Sequence, residues 1–167
     1  GLVDLAKPAY RLGIAEIRRQ IDSGHHDLLH VRVAVQPGDD FTGVEPGSLD
    51  TVIINSVIQY FPGADYLVRT LEGALRVLAP GGRIYIGDVQ SLGLLETHHL
   101  TEQLDHLPPE TTLEECRKIV ARRVAIEDEL VVDPGFFALL QARMPSIAQT
   151  EFQHRRGRIV NEPTRFH

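Results

Sequence analysis

The stretch from Asp50 to Val89 constrains the fold more than any other part of the chain. Thr51-Val52-Ile53-Ile54 is β-branched and apolar on both faces, as expected of a parallel strand covered by helices on each side. Leu67, Leu71, Ala74, Leu75 and Leu78 then recur at helical spacing, Pro80-Gly81-Gly82 breaks the pattern, and a second strand is predicted over Ile84 to Val89. Strand, helix and strand make a crossover unit. Such units join parallel strands in a right-handed sense and place ligands at the strands' carboxyl ends.

The flanking sequence extends this pattern. Tyr10, Ile14, Ile17 and Ile21 form an amphipathic stripe after Pro8, and Ser23-Gly24 supplies its stop signal. Leu29, Val31, Val33 and Val35 alternate with His30, Arg32, Ala34 and Gln36, which is the period of a strand ending at Pro37-Gly38. After Asp88 the chain reads as helical. One helix is expected over Leu92 to Leu107. A second starts at the capping box of Thr112 and Glu115 and runs to Leu130, and a third starts at Asp133-Pro134. Ile147 to His154 reads as a strand, Arg156-Gly157 as a turn, and Ile159 as the start of a returning antiparallel strand.

Composition narrows the possible functions. At 167 residues, 43% hydrophobic and 24% charged, the chain suits a single globular domain spanning 1–167. Its net charge of −6 argues against a nucleic-acid partner, because that affinity rests largely on Lys and Arg neutralising phosphates. No apolar run approaches the roughly 20 residues that cross a bilayer, so no membrane partner is expected. The single cysteine, Cys116, excludes an internal disulfide and a Cys-based zinc site and reads as an ordinary helix residue. The expected compartment is the cytoplasm. No metal site is expected, because His25-His26 and His98-His99 are adjacent pairs that do not share a helix face as i and i+4 residues do.

Two segments carry a resemblance. Asp50-Thr51-Val52-Ile53-Ile54-Asn55-Ser56-Val57-Ile58-Gln59-Tyr60-Phe61-Pro62, followed by Leu78-Ala79-Pro80-Gly81-Gly82-Arg83-Ile84-Tyr85-Ile86-Gly87-Asp88-Val89, resembles the methyltransferase domains embedded in nonribosomal peptide synthetases. The ending Asn161-Glu162-Pro163-Thr164-Arg165-Phe166 is similar to the segment that closes those domains, with Pro163 where the family usually has an aliphatic residue. The resemblance implies a class I, Rossmann-like α/β three-layer sandwich with a mostly parallel sheet and a C-terminal antiparallel hairpin. It also implies S-adenosylmethionine as cofactor. The family's first strand and Gly-rich loop would precede Asp4 by about 20 residues and have no counterpart here, so the expectation is a domain incomplete at both ends and inactive by itself.

Candidate residues follow from the resemblance. Asp4 matches the acidic residue that holds the cofactor's ribose hydroxyls, for which a carboxylate with two acceptor oxygens is suited; the alternative is a solvated Asp near a helix N-terminus. Gly38, Asp39, Asp40 and Phe41 occupy the adenine-recognising turn, or else form a polar turn of the kind Gly and Asp favour. Asn55, Ser56 and Val57 leave the apolar strand at its carboxyl end, where polar groups need partners.

Methyl transfer from a sulfonium is an in-line displacement that depends mostly on positioning. An amine acceptor must be neutral at attack, so a base would help. Candidate bases are Glu162, His98 and His99, with Asn161 and Gln59 as orienting groups; His98 and His99 also read as ordinary solvated helix residues. Arg155, Arg156 and Arg158 read as a solvated hairpin tip, although a carrier's phosphopantetheine arm would suit such a cluster.

The function expected is N-methylation of an aminoacyl or peptidyl intermediate on a carrier-protein arm, beside neighbouring synthetase domains. A degenerate module with a structural, interaction or epimerase role and no cofactor is the alternative.

Overall fold

The computed structural model describes residues 36–104 and 106–153. Within them the element order is β1 (Leu49–Asn55), a 3₁₀ turn (Ile58–Tyr60), α1 (Ala64–Val77), β2 (Leu78–Gly87), a second 3₁₀ turn (Leu92–Leu94), α2 (Leu95–Leu104), α3 (Leu113–Ala125) and α4 (Pro134–Arg143). The predicted helix at Tyr10 to Ile21, the strand at Leu29 to Val35 and the hairpin beyond His154 lie outside the described residues.

The crossover unit forms as its sequence dictates. β1 and β2 pair in parallel, with Val52 opposite Ile84, Ile53 opposite Tyr85, Ile54 opposite Ile86 and Asn55 opposite Gly87. α1 connects them and buries Leu67, Leu71, Ala74 and Val77 with Thr70 and Gly73. Thr70 is satisfied there because its hydroxyl donates to the Tyr66 carbonyl at 2.9 Å. Leu78, part of the predicted helical stripe, lies beyond the helix as the first residue of β2.

The Pro80-Gly81-Gly82 segment differs from expectation. It does not simply precede β2 but forms an irregularity within it: Leu78 pairs with Leu49, yet Arg83 is the next partner, opposite Thr51. Gly81 takes φ +81°, a left-handed conformation that a side chain disfavours. At Gly82 a Cβ would stand 2.9 Å from the Ala79 carbonyl oxygen and 3.2 Å from that of Asp50. Two glycines therefore let the chain fold out and return to the same strand.

Side chains alternate strictly across the sheet. Val52, Ile54, Ile84 and Ile86 face a core that contains Ile58, Phe61, Leu67, Leu71, Val132 and Leu140. The opposite face is open: Ile53 is 67% and Tyr85 58% exposed. The expectation that β1 is covered on both faces is thus met on one face among the described residues, since α1 and the segments behind it all pack on the Val52–Ile54 side.

The helical half follows its caps. Thr112 and Glu115 form a reciprocal capping box at the start of α3, and Asp133 accepts the Gly135 N–H at 2.7 Å to start α4 behind Pro134. α3 ends at Ala125, not at Leu130. The physical reason is Glu127, whose carboxylate accepts the Glu129 N–H at 2.9 Å and turns the chain out of the helix. The released backbone then ties to the strand-end loops: Leu130 N–H donates to the Gln59 carbonyl at 2.8 Å and Val132 N–H to the Gln90 carbonyl at 2.9 Å. Ile147 to Gln153 is not a strand; no ladder partner for it exists among the described residues, and the strand expected beside it lies beyond them.

Two tests follow. Ile58 is fully buried in the core, so Ile58→Ala is expected to cost about 3 kcal/mol in denaturant unfolding; a cost below about 1 kcal/mol would contradict this packing. Hydrogen bonds from the Thr112 side chain and backbone N–H hold the Glu115 carboxyl below its usual range. A carboxylate with a lowered folded-state pKa stabilises above its unfolded value and loses that contribution as pH falls through the folded one. The difference in unfolding midpoint between wild type and Glu115→Ala should therefore shrink as pH falls from neutrality to below the ordinary carboxylate range. A difference that stays constant with pH would argue against the cap.

Candidate functional site

Parallel pairing brings two polar strand ends to one place. Asn55 ends β1 opposite Gly87, which ends β2, and the next residues are Ser56 and Asp88. The Ser56 hydroxyl donates to the Asp88 carboxylate. The Asn55 amide nitrogen donates to Ser56 Oγ at 2.9 Å and to Asp88 Oδ2 at 3.3 Å. Ser56 N–H donates to the Gly87 carbonyl at 3.2 Å, carrying the ladder one bond further.

Both Ser56 (φ +56°) and Asp88 (φ +58°) adopt the left-handed conformation without being glycine. That conformation costs a side-chain-bearing residue about 1–2 kcal/mol, and such strain concentrates at functional sites. The Asn55 carboxamide lies directly over Gly87, where a Cβ would collide with it. Glycine at 87 is therefore what allows Asn55 to reach Asp88.

Just beyond, two amide side chains flank the residue 130–132 segment. Gln59 sits in the first 3₁₀ turn and Gln90 follows β2 by three residues; each backbone carbonyl accepts an N–H from that segment, at Leu130 and Val132. The side-chain Oε1 atoms of both are buried and have no hydrogen-bond partner among the described residues. Orphan acceptors of this kind call for a donor that a ligand can bring. Val57 is half-buried and packs against the core, so it contributes position more than chemistry.

The Gly38–Phe41 turn docks on α1. Asp39 pairs with Arg69 at 3.2 Å, and the Arg69 guanidinium also lies over the Tyr66 ring, 5.3 Å from its centroid. Burial, followed by the hydrogen bond with Asp39, raises the Tyr66 pKa. Asp40 turns back on Thr42, accepting its N–H at 2.9 Å, and Thr42's hydrogen bonds lower the Asp40 pKa. Phe41 packs its ring on Gly73 of α1. Beside this turn lies an open cleft of about 260 Å³ lined by Pro62, Gly63, Ala64, Asp65, Tyr66 and Arg69.

His98 and His99 form a separate group on α2. They are 6% and 7% exposed, which corrects their reading as solvated residues. α3 covers them, with Cys116 and Val120 buried on its inner side. Glu102 stands 4.0 Å from His98 Nε2 and 3.4 Å from His99 Nδ1, and Glu127 stands 3.0 Å from His99 Nε2.

Among the predicted residues, Asn55 and Ser56 are thus joined directly, Gln59 lies on the same loop, Gly38 to Phe41 form a neighbouring turn on α1, and His98 stands with the helical pair. Asp4, Asn161 and Glu162 lie outside the described residues. Sequence reasoning missed Asp88 and Gln90. Asp88 carried a usable signal: it is the first polar residue after β2, as Asn55 is at the end of β1.

Comparison with known proteins agrees with this architecture. A family model described as a methyltransferase domain matches residues 4–86. The chondramide synthase of Chondromyces crocatus is 42% identical over 84% of the chain. A probable non-canonical nonribosomal peptide synthetase of Salinispora arenicola is 38% identical over 81% of it, and the beauvericin nonribosomal cyclodepsipeptide synthetase of Beauveria bassiana 34% identical over 74%. The chain spans 4%, 2% and 4% of these three proteins. No helix of the described residues is long and apolar enough to cross a membrane. The chain belongs to the methyltransferase domain family, and the three relatives named are large synthetases that contain a region similar to it.

Proposed function

We propose that the strand-end cluster binds S-adenosylmethionine and that the domain methylates the amino nitrogen of an aminoacyl or peptidyl group on a carrier-protein arm, alongside neighbouring synthetase domains. The observation that carries this reading is the convergence of Asn55, Ser56 and Asp88 at the level carboxyl ends of two parallel strands, both connecting residues held in a strained conformation. The buried Oε1 atoms of Gln59 and Gln90, without a partner among the described residues, fit this reading, because the cofactor and the acceptor each bring an amine donor of the kind they lack.

When bound, S-adenosylmethionine supplies a methyl group activated by a sulfonium. The chain's own residues supply positioning and proton handling. Asn55 and Ser56, with the backbone at Val57, hold the ligand at the β1 end, and Asp88 contributes the negative charge that complements it. The Gly38–Phe41 turn takes the adenine side, where the backbone and Phe41 are the available contacts because Asp39 and Asp40 already have partners in Arg69 and Thr42. Asp4 takes the ribose hydroxyls.

Gln59 orients the acceptor amine through its carbonyl oxygen, and Asn161 assists. Glu162 receives the amine proton, which Gln59 cannot do. His98 is not assigned this step, since α3 and Glu102 enclose it in the helical group.

Calorimetric titration of S-adenosylmethionine into the polypeptide that carries this domain tests the reading. Stoichiometric binding is expected. Asp88→Ala and Gly87→Ala should each weaken it at least tenfold, the second by displacing Asn55. No binding to the wild type would leave the degenerate, cofactor-free module as the correct account. A second measurement concerns the acceptor: Glu162→Gln should lower the rate of methyl transfer to an aminoacyl carrier by 10²–10⁴-fold while leaving cofactor affinity unchanged. Unaltered turnover would remove Glu162 from the proton-transfer role.

A further inference from the structure

The helical half holds a cluster that methyl transfer does not use. One ring nitrogen each from His98 and His99 and a carboxylate oxygen of Glu102 lie within 4.8 Å of one another. Adjacent histidines on a straight helix point to different sides, yet here both rings are buried, 5.2 Å apart between centroids, and Glu102 lies one turn further along the same helix, within reach of each.

His99 makes the grouping chemically demanding. Its Nε2 faces Glu127 Oε2 at 3.0 Å and its Nδ1 faces Glu102 Oε2 at 3.4 Å, with the ring 7% exposed. A neutral imidazole carries one N–H. Whichever nitrogen holds it, the other presents a lone pair to a carboxylate, an acceptor against an acceptor. Nδ1 indeed has no hydrogen-bond partner among the described residues. A cation in that gap, a proton or a metal ion, removes this contact, and the second imidazole beside it supplies a further nitrogen donor that suits a metal.

Glu127 completes the pattern. Its Oε1 is fixed by the Glu129 N–H at 2.9 Å, so Oε2 is aimed at His99 Nε2. A carboxylate that accepts one imidazole N–H and leaves the other nitrogen for a metal is the usual outer support of a metal-binding histidine. We infer that His98, His99 and Glu102 form a binding site for a divalent transition metal, with Glu127 orienting His99. Two imidazoles and one carboxylate suit Zn²⁺ and its neighbours Co²⁺ and Ni²⁺ and not the oxygen-seeking Mg²⁺ or Ca²⁺. The Glu102 side chain is 54% exposed, so the site opens to solvent on that side and retains a position for water. Because Glu127 leads into the segment that bonds Gln59 and Gln90, the metal would pin the α2–α3 pair at the base of the strand-end loops.

The polypeptide that carries this domain, untagged and freed of metal with a chelator, is titrated with Zn²⁺ against a chromophoric competitor, and with Co²⁺ while its visible absorption is followed, each beside its Glu102→Gln variant. One equivalent of tightly bound metal and a Co²⁺ spectrum with a nitrogen-ligand signature are expected. Glu102→Gln keeps the exposed position filled and should weaken Zn²⁺ binding at least tenfold. Glu127→Gln should weaken it by 10–100-fold. His106→Gln, an exposed histidine near the end of the same helix, should leave affinity unchanged. Absence of stoichiometric binding, or binding that Glu102→Gln leaves intact, would overturn the site; the latter would assign the metal to histidines elsewhere in the chain. Comparable affinity for Mg²⁺ would overturn the ligand class.

Discussion

The parallel register of β1 and β2 is the constraint on which the rest depends. With Asn55 opposite Gly87, the two strands end level, and the first residues after them are forced into contact. A slip of β1 by one residue would send Val52 and Ile54 to the open face and separate Ser56 from Asp88. The core and the strand-end cluster are therefore consequences of one pairing. The glycine-rich irregularity after Leu78 protects that register by absorbing the extra residues between Leu78 and Arg83 without shifting the ladder beyond them.

The site shows how local strain and side-chain chemistry combine. Two residues in left-handed conformations are retained where a glycine would be easier on the backbone, because the hydroxyl of Ser56 and the carboxylate of Asp88 meet each other only there. The turn at Gly38–Phe41 behaves differently. Its carboxylates are engaged by Arg69 and Thr42, and its aromatic ring covers Gly73, so it presents mainly backbone and ring surface to any ligand.

Much of the fold was legible because its signals are local. The β-branched run of β1, the helical stripe of α1, the reciprocal cap of Thr112 with Glu115 and the Asp133-Pro134 start of α4 each depend on residues within a few positions of one another. What sequence reasoning misplaced depends on distant partners. The length of α3 was overstated because Glu127 leaves the helix to bond Glu129, and Ile147 to Gln153 alternates like a strand without a described ladder to join. His98 and His99 were read as solvated because nothing near them in the chain announces that α3 will cover them. Asn55 and Ser56 could be named from their place after an apolar strand. Asp88 needed the pairing of two strands, which a one-dimensional pattern does not contain.

The segment at residues 130–132 has a mechanical consequence. Its amides reach the carbonyls of Gln59 and Gln90, and Leu92 N–H returns a bond to Val132 at 3.2 Å. The loops that follow β1 and β2 are thereby fastened to one crossbar from far along the chain. Neither loop can withdraw from that crossbar without breaking a backbone hydrogen bond to it, so a displacement of one strand end is passed to the other through the chain between Leu130 and Val132.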